Sequence, residues 1–141
     1  MTKKIDTMVS KFFSIEQCRI NFETLFIFGD NLLRVGEAGQ AVIRGQVNSI
    51  GLATKKEPGM KPEDFFNDVE YMDNCKIIEE EIAKIKRYAE EKSFKAYCFS
   101  FQGLGTGLSS MQTRCPKTFC YLTVRLIEEF EFNNIAALQS M

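Results

Sequence analysis

No histidine and no tryptophan occur in this chain of 141 residues, and proline occurs only three times. Without histidine the commonest general base and metal ligand is missing, and so is every serine–histidine or cysteine–histidine pair. The five cysteines (Cys18, Cys75, Cys98, Cys115 and Cys120) contain no C-x-x-C pair, so their spacing offers no thiolate zinc site. They read as reduced thiols of a cytosolic protein, several of them small core residues. No apolar run is long enough to span a membrane, and residues 1–6 lead into no signal-peptide pattern. Charge of one sign is also missing: 18 Lys and Arg face 19 Asp and Glu, for a net charge of −1. No basic stripe is present to neutralise a nucleic-acid duplex, although a small pocket can still take one nucleotide or a chain end. Chemistry is left to Lys, Asp, Glu, Tyr, Ser, Thr and the main chain, with no metal or cofactor expected.

Glycine is present where a strand hands over to a helix, and it is there twice. The first such loop, residues 28–41, contains Gly29, Asp30, Asn31, Gly36, Ala38 and Gly39. The second, residues 101–110, contains Gly103, Gly105, Thr106, Gly107, Leu108 and Ser109. Glycine admits positive φ and lets main-chain N–H groups come close to a ligand. Rows of such groups attract phosphates. Two of these loops in one small domain point to a ligand with two phosphates, or with a phosphate and a sugar.

One continuous domain over residues 1–141 is expected, since there is no repeat, linker or low-complexity tract. Residues 23–28 read as a buried strand ending at Gly29-Asp30, with a helix beginning after Gly39. Residues 48–54 read as a further strand, closed by residues 55–59. Ile78, Ile82, Ile85 and Ala89 form one apolar stripe, which predicts a helix over about 71–92 with Glu80 and Lys84 paired on its wet side. Residues 94–101 are a mostly apolar strand covered on both faces. Pro116 suits a first helical turn, and Phe119, Leu122, Leu126 and Phe130 continue that helix. The first ~20 residues hold an edge strand or a short helix. Phe12 and Phe13 are expected in the core, and the acidic segment 62–68 is either a lid or a cover on the sheet. This alternation predicts an α/β sandwich with a largely parallel or mixed sheet and helices on both faces. Both glycine loops then lie beyond the carboxyl ends of the strands, where such sheets hold ligands.

Each motif has two readings at this level. Gly103-x-Gly105-x-Gly107 is a phosphate cradle or a tight turn; it fits neither the Rossmann fingerprint nor a P-loop. Asp30 and Asn31 contact a ribose or an adenine amino group, or they form an Asx turn. Lys55, in Thr54-Lys55-Lys56, is a desolvated amine able to attack the aldehyde form of a sugar, or half of a solvated pair.

Taken together, the order of these pieces resembles the macrodomain family, which binds ADP-ribose. It runs strand, Asn-containing loop with Gly-x-x-Gly-x-Ala, strand ending Thr-Lys-Lys, long helix, strand, Gly-x-Gly-x-Gly-Leu. The likeness covers roughly residues 23–128. It is nearest to the lysine-dependent subgroup that removes ADP-ribose from acidic side chains or DNA bases, in a phage-type variant with a Phe-Gly-Asp-Asn opening. The resemblance implies a three-layer macrodomain-like sandwich. It places Asn31 at the distal ribose and Gly36, Ala38 and Gly39 near the sugar and diphosphate. It makes Gly105, Thr106, Gly107 and Leu108 the diphosphate cradle and Lys55 the nucleophile. The partners it implies are ADP-ribose or a related nucleotide, carried free or on protein or nucleic acid. One departure stands out: the subgroup's Asp after Gly-x-Gly-Leu is Ser109 here, and serine is no carboxylate base. Asp30, Glu37 or Asp68 is the remaining source of such a carboxylate. The alternatives are a non-catalytic reader or sequestering module, and an interaction domain with a degenerate pocket.

Overall fold

The computed structural model describes residues 5–134. Residues Thr24–Asn31 (β2) are buried at every position except Gly29, which requires neighbours on both edges and cover on both faces. Asp6–Ser10 (β1), Ser49–Lys55 (β3) and Ala96–Ser100 (β4) complete a four-stranded sheet in the order β1-β4-β2-β3. All three ladders are parallel. The sheet, expected to be largely parallel or mixed, is all-parallel among the described residues.

Parallel neighbours need crossover connections, and these supply the cover. Between β3 and β4 the chain forms Tyr71–Glu91 (α2), close to the expected span. Its Ile78, Ile82, Ile85 and Ala89 pack with Leu25, Ile27, Leu52 and Phe99 of the sheet. Pro116–Phe130 (α4) lies on the same face through Leu122, Leu126 and Phe130. The opposite face is thinner. There Phe26, Phe28 and Cys98 are covered by Phe13, by Cys18 of Ile15–Ile20 (α1) and by Ala41 and Ile43. The result is an α/β sandwich of three layers.

Two expectations fail locally. The helix predicted after Gly39 is a single 3₁₀ turn, Gly39–Ile43. Arg44 leaves helical space (φ −53, ψ 135) to reach the Asp30 carboxylate, and Gly45 at φ +93 then turns the chain. Phe13 is buried as expected, but Phe12 is 62% exposed. The segment 62–68 is a cover and not a lid: Phe65 and Phe66 are both buried in it, Phe66 within the main core.

Asp68 has a structural task. Its carboxylate accepts the N–H groups of Lys117 and Thr118, both at 2.9 Å, and the Thr118 hydroxyl at 2.8 Å. It thereby caps α4, whose first residue Pro116 has no N–H to offer. Desolvation pushes its pKa up, but these bonds and the Lys117 charge outweigh it and hold the carboxyl below its ordinary 3.8. Asp68→Ala should lower stability by about 1 kcal/mol. A depressed folded pKa contributes stability above the unfolded value and loses it as pH falls through the folded one. The gap between wild type and variant, followed by urea titration, should therefore shrink at strongly acidic pH.

Candidate functional site

β2 and β4 are neighbours, yet the chain leaves their carboxyl ends toward opposite faces of the sheet. After β2 it crosses to the thin face and forms the turn Gly39–Ile43; after β4 it goes to the α4 face through Met111–Arg114 (α3). The two loops part at this point and open a cleft, as the topology of such sheets requires. The cleft has a volume of about 380 Å³. Its floor is the exposed Gly29 in the otherwise buried β2. Every ligand-binding residue expected from sequence lines it, and so does Lys55. Asp30 and Asn31 stand at the end of β2, and Gly36, Ala38 and Gly39 form one wall. Gly103, Gly105, Thr106, Gly107, Leu108 and Ser109 form the other, and Lys55 closes the side at the end of β3.

The second loop is held from behind. Asn134, fully buried, accepts the Leu104 N–H at 2.8 Å and donates to the Leu104 carbonyl at 2.7 Å. Gly103 has φ +80, and a Cβ there would meet the Asn134 amide at 2.4 Å. Gly105 also has φ +80, and a Cβ would meet the Met111 sulfur at 2.7 Å. Both glycines are thus required by packing. Gly107 differs: its φ is +60, and nothing lies within 4 Å of its Cβ direction. The Thr106 hydroxyl donates to the Gln102 carbonyl and the Ser109 hydroxyl to the Thr106 carbonyl, so both side chains staple the loop. Among the described residues no acceptor takes the N–H of Gly105, Thr106, Gly107 or Leu108. Four successive unpaired donors beside a cleft form an anion-attracting concavity.

The first loop is braced by its own side chains. Asn31 Oδ1 accepts the Leu33 N–H at 3.0 Å, and its Nδ2 donates to the Val35 carbonyl at 2.9 Å. The Asx-turn reading therefore describes this side chain, with one N–H and one lone pair left over. Asp30 accepts both terminal nitrogens of Arg44, at 2.5 and 3.1 Å, and lies 3.6 Å from Arg34. Arg44 continues to the Gly36 carbonyl at 2.7 Å, stacks over Phe28 and so fixes the loop. A Cβ on Gly51 would lie 2.2 Å from the Asp30 carboxylate, which explains a glycine inside β3. Gln40 meets Gln102 across the mouth at 3.5 Å.

Lys55 is buried, with its Nζ on the carbonyls of Gly59 at 2.6 Å and Pro58 at 3.3 Å. The ammonium lies 4.4 Å above the Phe65 ring, and Arg114 stacks on the same ring at 3.6 Å. Desolvation lowers its pKa, opposed by Asp64 and reinforced by Arg114, and the net shift is downward. A buried amine with a lowered pKa has nucleophilic potential. Asp64 is the carboxylate that acts on this ammonium, and it is none of the three candidates named from sequence. Asp30 is the one acidic residue lining the cleft and is chelated by Arg44; Asp68 caps α4, and Glu37 is exposed outside the cleft lining.

Arg44, Gln40, Gln102 and Asn134 went unrecognised in the sequence. Arg44 carries a weak signal, a lone arginine after the small residues that follow Gly39. Asn134 carries none, because its role depends on a contact 30 residues away in sequence. No group of three or more metal-ligating side chains occurs among the described residues, and no helix there is long and apolar enough to cross a membrane. A family model described as a family of unknown function, DUF7831, matches residues 8–125, and the chain belongs to that family. No curated protein and no solved structure matches it.

Proposed function

We propose that this member of DUF7831 is a macrodomain-like binding module that captures ADP-ribose, or a nucleotide closely related to it, in the cleft between its two glycine loops. The observation that carries the reading is the row of unpaired N–H groups from Gly105 to Leu108, a fit for the oxygens of a diphosphate. The opposite wall supports it. Gly36 and Gly39 both have positive φ and open space in their Cβ directions, so main chain rather than side chain faces the cleft. Val35 and Leu108, both exposed apolar residues of the lining, supply contact for the non-polar faces of sugar and base. Binding is favoured over turnover because the sole acidic residue in the lining, Asp30, is already held by Arg44.

A catalytic reading rests on the position of Lys55, a buried amine in the cleft lining whose pKa desolvation lowers. In that reading its neutral amine attacks C1 of the linked ribose, and the C1–O or C1–N bond to protein or nucleic acid breaks with that group leaving protonated. Water then hydrolyses the lysine adduct to release ADP-ribose. Calorimetric titration with ADP-ribose tests the main proposal. One-to-one binding at micromolar or tighter affinity is expected, and no heat at high ligand concentration overturns it. Incubating ADP-ribosylated protein and DNA with wild type and Lys55→Ala separates the two readings. Release by wild type alone selects catalysis; silence from both, with binding intact, selects capture.

A further inference from the structure

The two outer edges of the sheet are treated in opposite ways. On β3, Glu81 accepts the outward Ala53 N–H at 2.7 Å and Lys84 donates to the outward Gly51 carbonyl at 3.0 Å. Side chains of α2 thus occupy the very groups that would recruit another strand, a recognised way of blunting an edge. Among the described residues nothing equivalent happens on β1. The Asp6 N–H donates to the Lys95 carbonyl and the Ser10 carbonyl accepts the Phe101 N–H, so Asp6, Met8 and Ser10 face β4. Alternation along a parallel ladder then turns the N–H and C=O groups of Thr7 and Val9 outward. Among the described residues none of these four groups has a partner. The flanking side chains are apolar and wet: Met8 is 50%, Val9 53% and Phe12 62% exposed.

From this asymmetry we propose that the β1 edge is a self-association surface, on which a second copy of this chain pairs its own β1 antiparallel about a two-fold axis. The segment is self-complementary in that register. With Met8 opposite Met8 of the partner subunit at the axis, Thr7 faces Val9 of the partner subunit, and the reverse. All four open groups on each chain are then matched in hydrogen-bonded pairs, with the two methionines forming the close, non-hydrogen-bonded pair. The charges match as well: Asp6 comes opposite Ser10 of the partner subunit and beside its Lys11, and no like charges meet. Phe12 flanks the seam from each side. A closed isologous pair uses up both open edges and leaves no template for further growth. The joined sheet has eight strands, its ends sealed by Glu81 and Lys84 of each copy. The proposal is independent of what the cleft binds.

The test is sedimentation velocity of the full chain over a dilution series. Wild type should sediment as twice 16.2 kDa and dissociate on dilution. Met8→Lys sets two ammonium groups against each other at the axis and should shift the equilibrium roughly tenfold or more toward monomer. Met8→Glu should do the same, and mixing the two variants should restore the dimer by opposite-charge pairing. Val9→Pro removes an N–H that points away from β4 and should also give monomer. Circular dichroism and melting temperature check that each variant is folded; because the Met8 side chain is half exposed, those two variants keep the fold. A monomeric wild type at high micromolar concentration overturns the proposal, and so does a dimer that Met8→Lys and Val9→Pro leave unchanged.

Discussion

Glu81→Ala should destabilise the protein by about 3 kcal/mol. Three groups depend on this one carboxylate, which is 5% exposed. Oε1 holds the Ala53 N–H, and Oε2 holds Arg34 at 2.7 Å and Lys84 at 3.2 Å. Removing it strands an edge N–H and leaves two cations facing each other. Breaking a buried ion pair from one side costs about 3–5 kcal/mol. The lower end applies here, because the Arg34 and Lys84 side chains keep 36% and 33% of their exposure. Arg34 is itself at φ +59, a left-handed conformation costing about 1–2 kcal/mol that its ion pairs sustain. Losing Glu81 should therefore also loosen the loop that carries Gly36 and Gly39.

The same residue sets a pH dependence. Burial pushes the Glu81 pKa up, but Arg34, the Ala53 N–H and Lys84 outweigh it, and the carboxyl is held below its ordinary 4.5. The folded value lies below the unfolded one, so the stabilisation is complete above about pH 4.5 and is lost as pH falls through the folded value. Glu81→Gln keeps the acceptor for Ala53 but removes the charge. Denaturant midpoints for wild type and Glu81→Gln should differ at neutral pH and converge in acid. Equal midpoints at neutral pH would show that the network contributes nothing.

Much of the frame was legible because it follows from local periodicity. A buried strand ending at Gly29-Asp30 and the stripe of Ile78, Ile82, Ile85 and Ala89 follow from apolar spacing alone, and they place both loops at one end of the sheet. Glu81 was not legible. It looks like one more charge in Glu79-Glu80-Glu81, and only the sheet edge beside it distinguishes it from Glu80, which was expected to pair with Lys84. The same limit applies to Asp30. At a strand end it reads equally as a ligand contact, and its use as the anchor of Arg44 depends on how the chain returns after the turn at Gly39–Ile43. Asn134 and Gly103 form a pair that no local pattern announces. Side chains whose partners are far away in sequence were the ones left unread, while the glycines of both loops, visible in the sequence as loop residues, line the cleft.

Gly107→Val is expected to abolish ADP-ribose binding with little loss of fold, whereas Gly105→Val should fail on both counts. The contrast comes from what stands beside each Cβ. At Gly107 the side chain would enter open space, but φ +60 is strained for a β-branched residue. The backbone must turn, and the N–H groups of Gly107 and Leu108 turn with it. A hydrogen bond to a charged group is worth about 1.5–3 kcal/mol. Losing two such bonds to a diphosphate weakens affinity at least about a hundredfold. At Gly105 a Cβ would press on the Met111 sulfur at 2.7 Å and the Phe119 ring at 3.0 Å, both rooted in the α3–α4 junction. Overpacking there costs about 1–3 kcal/mol, so the melting temperature should drop along with affinity. Calorimetry and thermal melts on the two variants measure both quantities. If Gly107→Val binds as tightly as wild type, the row of donors from Gly105 to Leu108 does not hold the ligand, and the phosphate must lie against the Gly36–Gly39 wall instead.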